Sequence, residues 1–166
     1  MHRPAWDKVI SFAGLSGSGK TTLICGLLGW FKAQGLKVAV LKHSHKAGLG
    51  DEAKDTGKFR RAGALAVALA APGLLQVTRS CPAEPPLDEA LAAIAADADL
   101  VLVEGYKTSP LPKIALVGPG LEKVLPDLSR VVALVSSSPV AAAVPVFHPG
   151  QIAELGRFIK KYLGLP

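Results

Sequence analysis

A three-layer α/β fold on a largely parallel central sheet is the architecture this sequence predicts, and three observations carry the prediction. Short apolar bursts alternate with longer amphipathic stretches, the rhythm of strand–helix–strand units. Several bursts are apolar at every position, LVLV at 100–103 being the plainest. A strand apolar on both faces belongs in a sheet covered on both faces. Between the first burst and the first helix stands AGLSGSGKTTL, a glycine-rich turn with one lysine.

The elements follow in order. VISFA (9–13) is a short buried strand that leads into the glycine turn. Residues 20–34 place Leu23, Leu27, Trp30 and Phe31 at helical spacing, and Gly35 ends that helix. KVAVL (37–41) is the second strand. The polar stretch 42–58 is long for a connection in a compact domain, which marks it as functional or mobile, and residues 55–61 form a short helix at its end. Two strands, 65–70 and 74–78, flank the turn Pro72-Gly73. CPAEPP (81–86) is a loop, and the alanine-rich stretch 87–98 is a helix. Strands follow at 100–103, 114–117, 131–135 and 144–147, and an amphipathic helix over 151–163 stops at Gly164.

Composition narrows the classes. With 166 residues, 49% apolar and 19% charged, the chain suits a single globular domain over 1–166. The longest apolar run, 62–75, is too short to span a bilayer and contains Pro72. The start, MHRPAWDKVI, lacks the pattern of a secretory signal, so no membrane association and a cytoplasmic location are expected. Cys25 and Cys81 are isolated and give neither a disulfide framework nor a paired-cysteine zinc site. A net charge of +6 suits anionic partners. The basic residues are scattered and aromatics make up only 5%, so no nucleic-acid partner is expected.

Residues 14–21, GLSGSGKT, satisfy G-x-x-x-x-G-K-[ST]. Glycines allow successive backbone N–H groups to converge on phosphate oxygens, and the following helix points its positive end at the same place. Lys20 supplies a point charge for the terminal phosphates and the Thr21 hydroxyl can ligate Mg²⁺. This Walker A motif makes the predicted architecture a P-loop NTPase fold with a magnesium–nucleoside triphosphate site.

Three further stretches stand near it in the predicted topology. In DLVLVEGYK (99–107) an apolar strand ends in Glu104, the acid that holds magnesium or its water beside a P-loop, and Gly105 lets backbone come close to a ligand. KHSH (42–45) lies at the carboxyl edge of the sheet, where open α/β folds bind ligands. Its His43 and His45 could meet phosphate, act as acid or base, or bind metal, although two histidines alone make a weak zinc site. In the charged stretch 51–64, Asp51, Glu52 or Asp55 could reach the magnesium shell, and Lys54, Lys58, Arg60 and Arg61 could meet a second anion or a partner. The chain contains no asparagine, so the guanine-reading motif N-K-x-D is absent. SSSP at 136–139, after a late strand, is the candidate equivalent position.

Together VAVLKHSH (38–45), KDTGKFRRAGA (54–64), DLVLVEGYK and the pair Lys113-Ile114 resemble the molybdopterin-guanine dinucleotide biosynthesis protein B family over nearly the whole chain. The resemblance implies a P-loop homodimer with a largely parallel sheet. It implies binding and weak hydrolysis of GTP with Mg²⁺, in support of the molybdenum cofactor guanylyltransferase that attaches GMP to molybdopterin. Molybdopterin or its dinucleotide form is thereby an implied ligand. By position, Gly14, Leu15, Ser16, Gly17, Ser18, Gly19, Lys20, Thr21 and Thr22 would hold the phosphates. Thr21 and Glu104 would serve the magnesium, with Lys20 and Glu104 as the catalytic pair, and Lys42, His43, His45 and Gly105 would line the site. The segment after His45 is shorter and poorer in histidine than the family pattern, and serine at 137 and 138 stands where an acid often follows the late strand. No arginine finger is identifiable, although Arg60 or Arg61 of a partner subunit could supply one. Two other readings stay open: a small-molecule kinase with 42–61 as acceptor region, and a metallochaperone-type GTPase using His43 and His45.

Overall fold

The structure is a computed structural model and describes residues 6–45, 48–118 and 128–166. Residues 46 and 47 of the polar stretch, and residues 1–5 at the start, lie outside the described residues. The strands are β1 (Val9–Ala13), β2 (Val38–Lys42), β3 (Ala66–Ala71), β4 (Leu74–Arg79), β5 (Leu100–Glu104), β6 (Lys113–Val117), β7 (Val131–Ser136) and β8 (Val146–Phe147). The helices are α1 (Lys20–Ala33), α2 (Asp55–Arg61), α3 (Leu87–Ala92) and α4 (Ile152–Leu163). The chain divides into two compact units: Met1–His43 with Leu87–Pro166, and Ser44–Pro86.

In the first unit six strands pair in the order β2-β5-β1-β6-β7-β8, and every pairing is parallel. Alternation along each strand sorts its side chains to two covered faces. Ile10, Phe12, Leu100, Leu102, Ile114 and Leu116 pack with Leu23, Leu27 and Phe31 of α1 and Leu155 and Ile159 of α4. Val9, Val101 and Val103 face the other way, against Leu91 of α3 and Leu111. These are the three layers that the fully apolar strands predict. Phe12 and Phe31 are fully buried, and each such side chain contributes about 1.5–3 kcal/mol of transfer free energy.

α1 and α4 approach closely through glycines. A Cβ on Gly26 would come within 3.0 Å of Ile152 Cδ1, and one on Gly156 would overlap the Trp30 ring. β5 and β6 flank β1, yet residues 105–112 join them without a helix. Four carbonyls of this crossover are held by side chains or by β1. Lys113 Nζ donates to Ser109 O and Leu111 O (the latter at 2.9 Å), Arg130 Nη1 to Pro110 O (2.8 Å), and Ser11 N and Oγ both donate to Pro112 O.

Two elements are shorter than expected. The helix predicted over 87–98 ends at Ala92. Only Leu91 of that helix is buried, and i→i+3 bonds from Ile94 N to Leu91 O and Ala98 N to Ala95 O tighten the chain into turns. Ile94, Ala95 and Ala98 still pack against the Leu91 cluster, in turns rather than in further helix. The strand predicted over 144–147 begins only at Val146, because Pro145 has no N–H to give the ladder and pairs through its carbonyl with Leu134 N.

The second unit holds α2 and the antiparallel hairpin β3–β4, whose register closes at Ala71↔Leu74 around Gly73 with φ +74°. Asp51 is buried there, accepting from Arg60 Nη2 at 2.6 Å and Thr56 Oγ1 at 3.2 Å. Gly57 packs so tightly on the Asp51 carbonyl that a Cβ would overlap it. Among the described residues of the whole chain, no helix is long and apolar enough to cross a membrane.

Candidate nucleotide site

β1 runs buried to Ala13 and releases the chain at the carboxyl edge of the sheet. Gly14 turns it beneath the loop, where a Cβ would lie 2.8 Å from Ser18 Oγ and 3.2 Å from Leu116 O. Gly19 takes the N-cap position of α1 at φ +87°, with no side-chain cap, and the first turn contains no acid. The first N–H groups of α1 and the positive end of its dipole are thus available to an anion. Lys20 Nζ reaches back over the loop to Leu15 O (2.6 Å), Gly14 O (3.2 Å) and Ser18 Oγ (3.4 Å).

Across the loop stands Glu104. Its register with Phe12 and Lys42 sets it level with the carboxyl ends of β1 and β2. The carboxylate is largely buried, with Oε2 accepting from Thr21 Oγ1 at 3.0 Å and Oε1 from Lys42 Nζ at 3.3 Å. Burial lowers the Lys20 pKa. Glu104 opposes that shift, and Lys107 and Lys42 add to it. One carboxylate thus lies within the field of three ammonium groups, a net positive pocket at the mouth of the loop. Thr21 Oγ1 and Glu104 Oε2 are hard oxygen donors side by side, the donor chemistry that suits Mg²⁺.

Gly105 and Tyr106 follow at φ +106° and +49°. A Cβ on Gly105 would come 2.9 Å from His43 Cβ, so glycine there lets β2 and β5 close together beyond their last ladder pair. His43 N donates to Glu104 O at 2.8 Å, and the His43 ring lies on Tyr106 with centroids 4.3 Å apart. A left-handed tyrosine is strained by roughly 1 kcal/mol or more, and this stack helps to hold it.

On the other side of the loop a cavity of about 540 Å³ opens, within the usual range of ligand pockets. Gly19 and Thr22 border it, with Gly26 on α1, Val117 at the end of β6, Ser137 after β7 and Ile152 on α4. Ser136, also in its wall, accepts from Ser138 N at 3.1 Å and donates to Ser138 O at 2.7 Å, which fixes the turn of the SSSP stretch.

The predicted residues gather in part. The loop from Gly14 to Thr22, Lys42, His43, Glu104 and Gly105 all belong to the first unit, while His45 is exposed and belongs to the second. Asp51, one of three acids that could reach the magnesium shell, and Arg60, one of four cations that could meet a second anion or a partner, engage each other in an ion pair at 2.6 Å. Asp55 pairs with Lys58 at 3.0 Å. Glu52 accepts from Leu49 N and Gly50 N, and backbone hydrogen bonds lower its pKa. Among the described residues no group of three or more His, Cys, Asp or Glu side chains gathers to hold a metal. Sequence reasoning missed Lys107, although it stands three places after the strand-end acid. It also missed Gly26 and Ile152, which only the packing of α1 on α4 brings to the loop.

Residues 9–137 match the family described as molybdopterin guanine dinucleotide synthesis protein B. A molybdopterin-guanine dinucleotide biosynthesis adapter protein of Haemophilus influenzae is 32% identical over 158 residues, 93% of this chain and 89% of that protein. The adapter protein of Escherichia coli is 29% identical over 163 residues, 93% of each. The crystal structure of a MobB protein homolog from Bacillus stearothermophilus superposes with a TM-score of 0.74 at 28% identity, covering 95% of this chain and 98% of that one. Another crystal structure, of molybdopterin-guanine biosynthesis protein B, gives 0.78 at 28% identity over 92% of this chain and 98% of that one.

Proposed function

The chain belongs to the molybdopterin guanine dinucleotide synthesis protein B family, and from that premise we propose that it is an adapter in molybdopterin-guanine dinucleotide formation that binds Mg²⁺–GTP and hydrolyses it slowly. The observation that carries the nucleotide reading is the meeting of Thr21 and Glu104 at 3.0 Å beside the Lys20 ammonium. Phosphates enter over the uncapped N-terminus of α1, and the cavity beside Thr22 takes the nucleoside. Lys20 exchanges its bonds to the loop carbonyls for the terminal phosphates, and Lys42 and Lys107 add positive charge on the outer side. Thr21 and Glu104 would hold magnesium, whose charge would stabilise the phosphoryl oxygens.

Slow hydrolysis follows from the same arrangement. Glu104 is engaged by Thr21 and Lys42, so its carboxylate orients groups more readily than it takes a proton from water. The partner enzyme is a molybdenum cofactor guanylyltransferase, and molybdopterin or its dinucleotide is the shared ligand.

A homodimer belongs to this reading, and the β3–β4 hairpin supports it. Leu69, Leu74, Leu75 and Val77 are each more than half exposed on a two-stranded sheet. A two-stranded hairpin with apolar side chains exposed on both faces is marginal in water. A second copy of the same hairpin is a self-complementary cover.

The test measures GTP and ATP binding by calorimetry, together with phosphate release. Micromolar or tighter GTP binding that Lys20→Ala abolishes, with slow turnover, is the expected result. Equal affinity for ATP sinks the guanine assignment, and fast phosphate transfer to a small acceptor sinks the adapter reading.

A further inference from the structure

The α1–α4 pair carries a second concavity at its other end. α1 has 14 residues and is roughly 20 Å long, so its C-terminus lies far from the glycine loop. There a groove of about 390 Å³ is lined by Trp30 and Gln34 of α1, by Arg157, Lys160 and Lys161 of α4, and by Leu165.

The groove is built. Gly156 leaves room for the Trp30 ring that any Cβ would displace, and Phe31 meets that ring edge to face at 5.3 Å. Gly164, left-handed at φ +64°, closes α4, and Leu165 N bonds Lys160 O at 2.9 Å, which turns Leu165 back to the rim. Of the three cations only Arg157 has a carboxylate partner among the described residues, Glu154, in an exposed pair at 3.6 Å. Attraction to the negative end of α4 accounts for lysines in its last turn. It does not account for their convergence, with an arginine, on an aromatic ring supplied by another helix.

We propose that this groove docks an acidic segment of the protein partner, its carboxylates on Lys160, Lys161 and Arg157 and an apolar side chain against Trp30. This rests on the adapter reading, in which the partner is the guanylyltransferase. Tryptophan and arginine anchors inside a charged rim are the composition of interface hot spots, and the two lysines select for negative charge. The groove and the nucleotide site lie at opposite ends of the closely packed α1–α4 pair.

The test measures binding of purified guanylyltransferase to the full chain by calorimetry, with GTP affinity measured separately. Lys160→Glu/Lys161→Glu is expected to weaken transferase binding about tenfold or more and to leave GTP affinity unchanged. Lys160→Gln/Lys161→Gln, which keeps helix-forming side chains, falls between, and added salt weakens the wild-type complex. Transferase binding unchanged in the charge-reversed chain overturns the proposal while the adapter reading stands. No transferase binding by the wild-type chain overturns both. Homopolymer RNA binding that the charge reversal abolishes, with transferase binding untouched, assigns the groove to another class of partner and also overturns it.

Discussion

The Thr21 hydroxyl donates a 3.0 Å hydrogen bond to the Glu104 carboxylate across 83 positions of sequence, tying the glycine loop to the end of β5. If the two groups hold one magnesium ion together, their substitutions are expected to be non-additive. Thr21→Val and Glu104→Gln each weaken magnesium-dependent GTP binding about tenfold or more, and the double variant loses less than the sum, with a coupling of about 0.5–3 kcal/mol. Calorimetry in magnesium and in EDTA reads this directly. Losses that add, or that persist equally in EDTA, separate the pair from the metal.

Burial lowers the Lys20 pKa, and a bound triphosphate restores it by stabilising the ammonium. GTP binding therefore takes up protons at alkaline pH. Affinity is full below the lowered pKa and declines as pH rises from there toward the ordinary lysine range. Titrations in two buffers of different ionisation heat give the proton count. Proton release in that range contradicts the assignment.

Lys113 is fully buried, and its ammonium holds the Ser109 and Leu111 carbonyls of the helix-free crossover. Lys113→Met leaves those acceptors unpaired and lowers stability by about 2 kcal/mol or more in urea unfolding. Burial, with Arg130 adding to it, lowers the Lys113 pKa, so its protonation works against folding below that lowered value. As pH rises from the lowered value toward the ordinary lysine range this penalty is relieved, and the wild-type advantage over Lys113→Met grows. An advantage that shrinks over that range contradicts a lowered pKa in the folded chain.

The hairpin is expected to carry self-association. Leu75→Lys/Val77→Lys puts charge on one of its faces, and light scattering should then report a monomer where the wild type is a dimer. A wild-type monomer, or a variant that remains a dimer, removes the hairpin from the interface.

What is legible in the sequence is mostly local. The glycine loop is one contiguous stretch whose backbone demands fix its residue types, so Gly14, Gly19, Lys20 and Thr21 can be placed from spacing alone. Glu104 is legible because an acid that ends a fully apolar strand has few other uses beside such a loop. Strand order is not legible, since periodicity records which face a residue takes and not which strand is its neighbour. The Asp51–Arg60 pair escapes because charge in a loop looks alike whether it faces solvent or another side chain. The cavity and the far groove escape for a related reason: each is assembled from α1 and α4, which are distant in sequence and meet closely at Gly26 and Gly156.

The most direct test of the adapter function is the yield of molybdopterin-guanine dinucleotide made by purified guanylyltransferase from molybdopterin and Mg²⁺–GTP, with the wild-type chain, with Lys20→Ala, and with neither. An adapter that works through its bound nucleotide raises the yield as the wild-type chain and gives none of that gain as Lys20→Ala. Equal yields in all three reactions, or full stimulation by Lys20→Ala, would contradict that function.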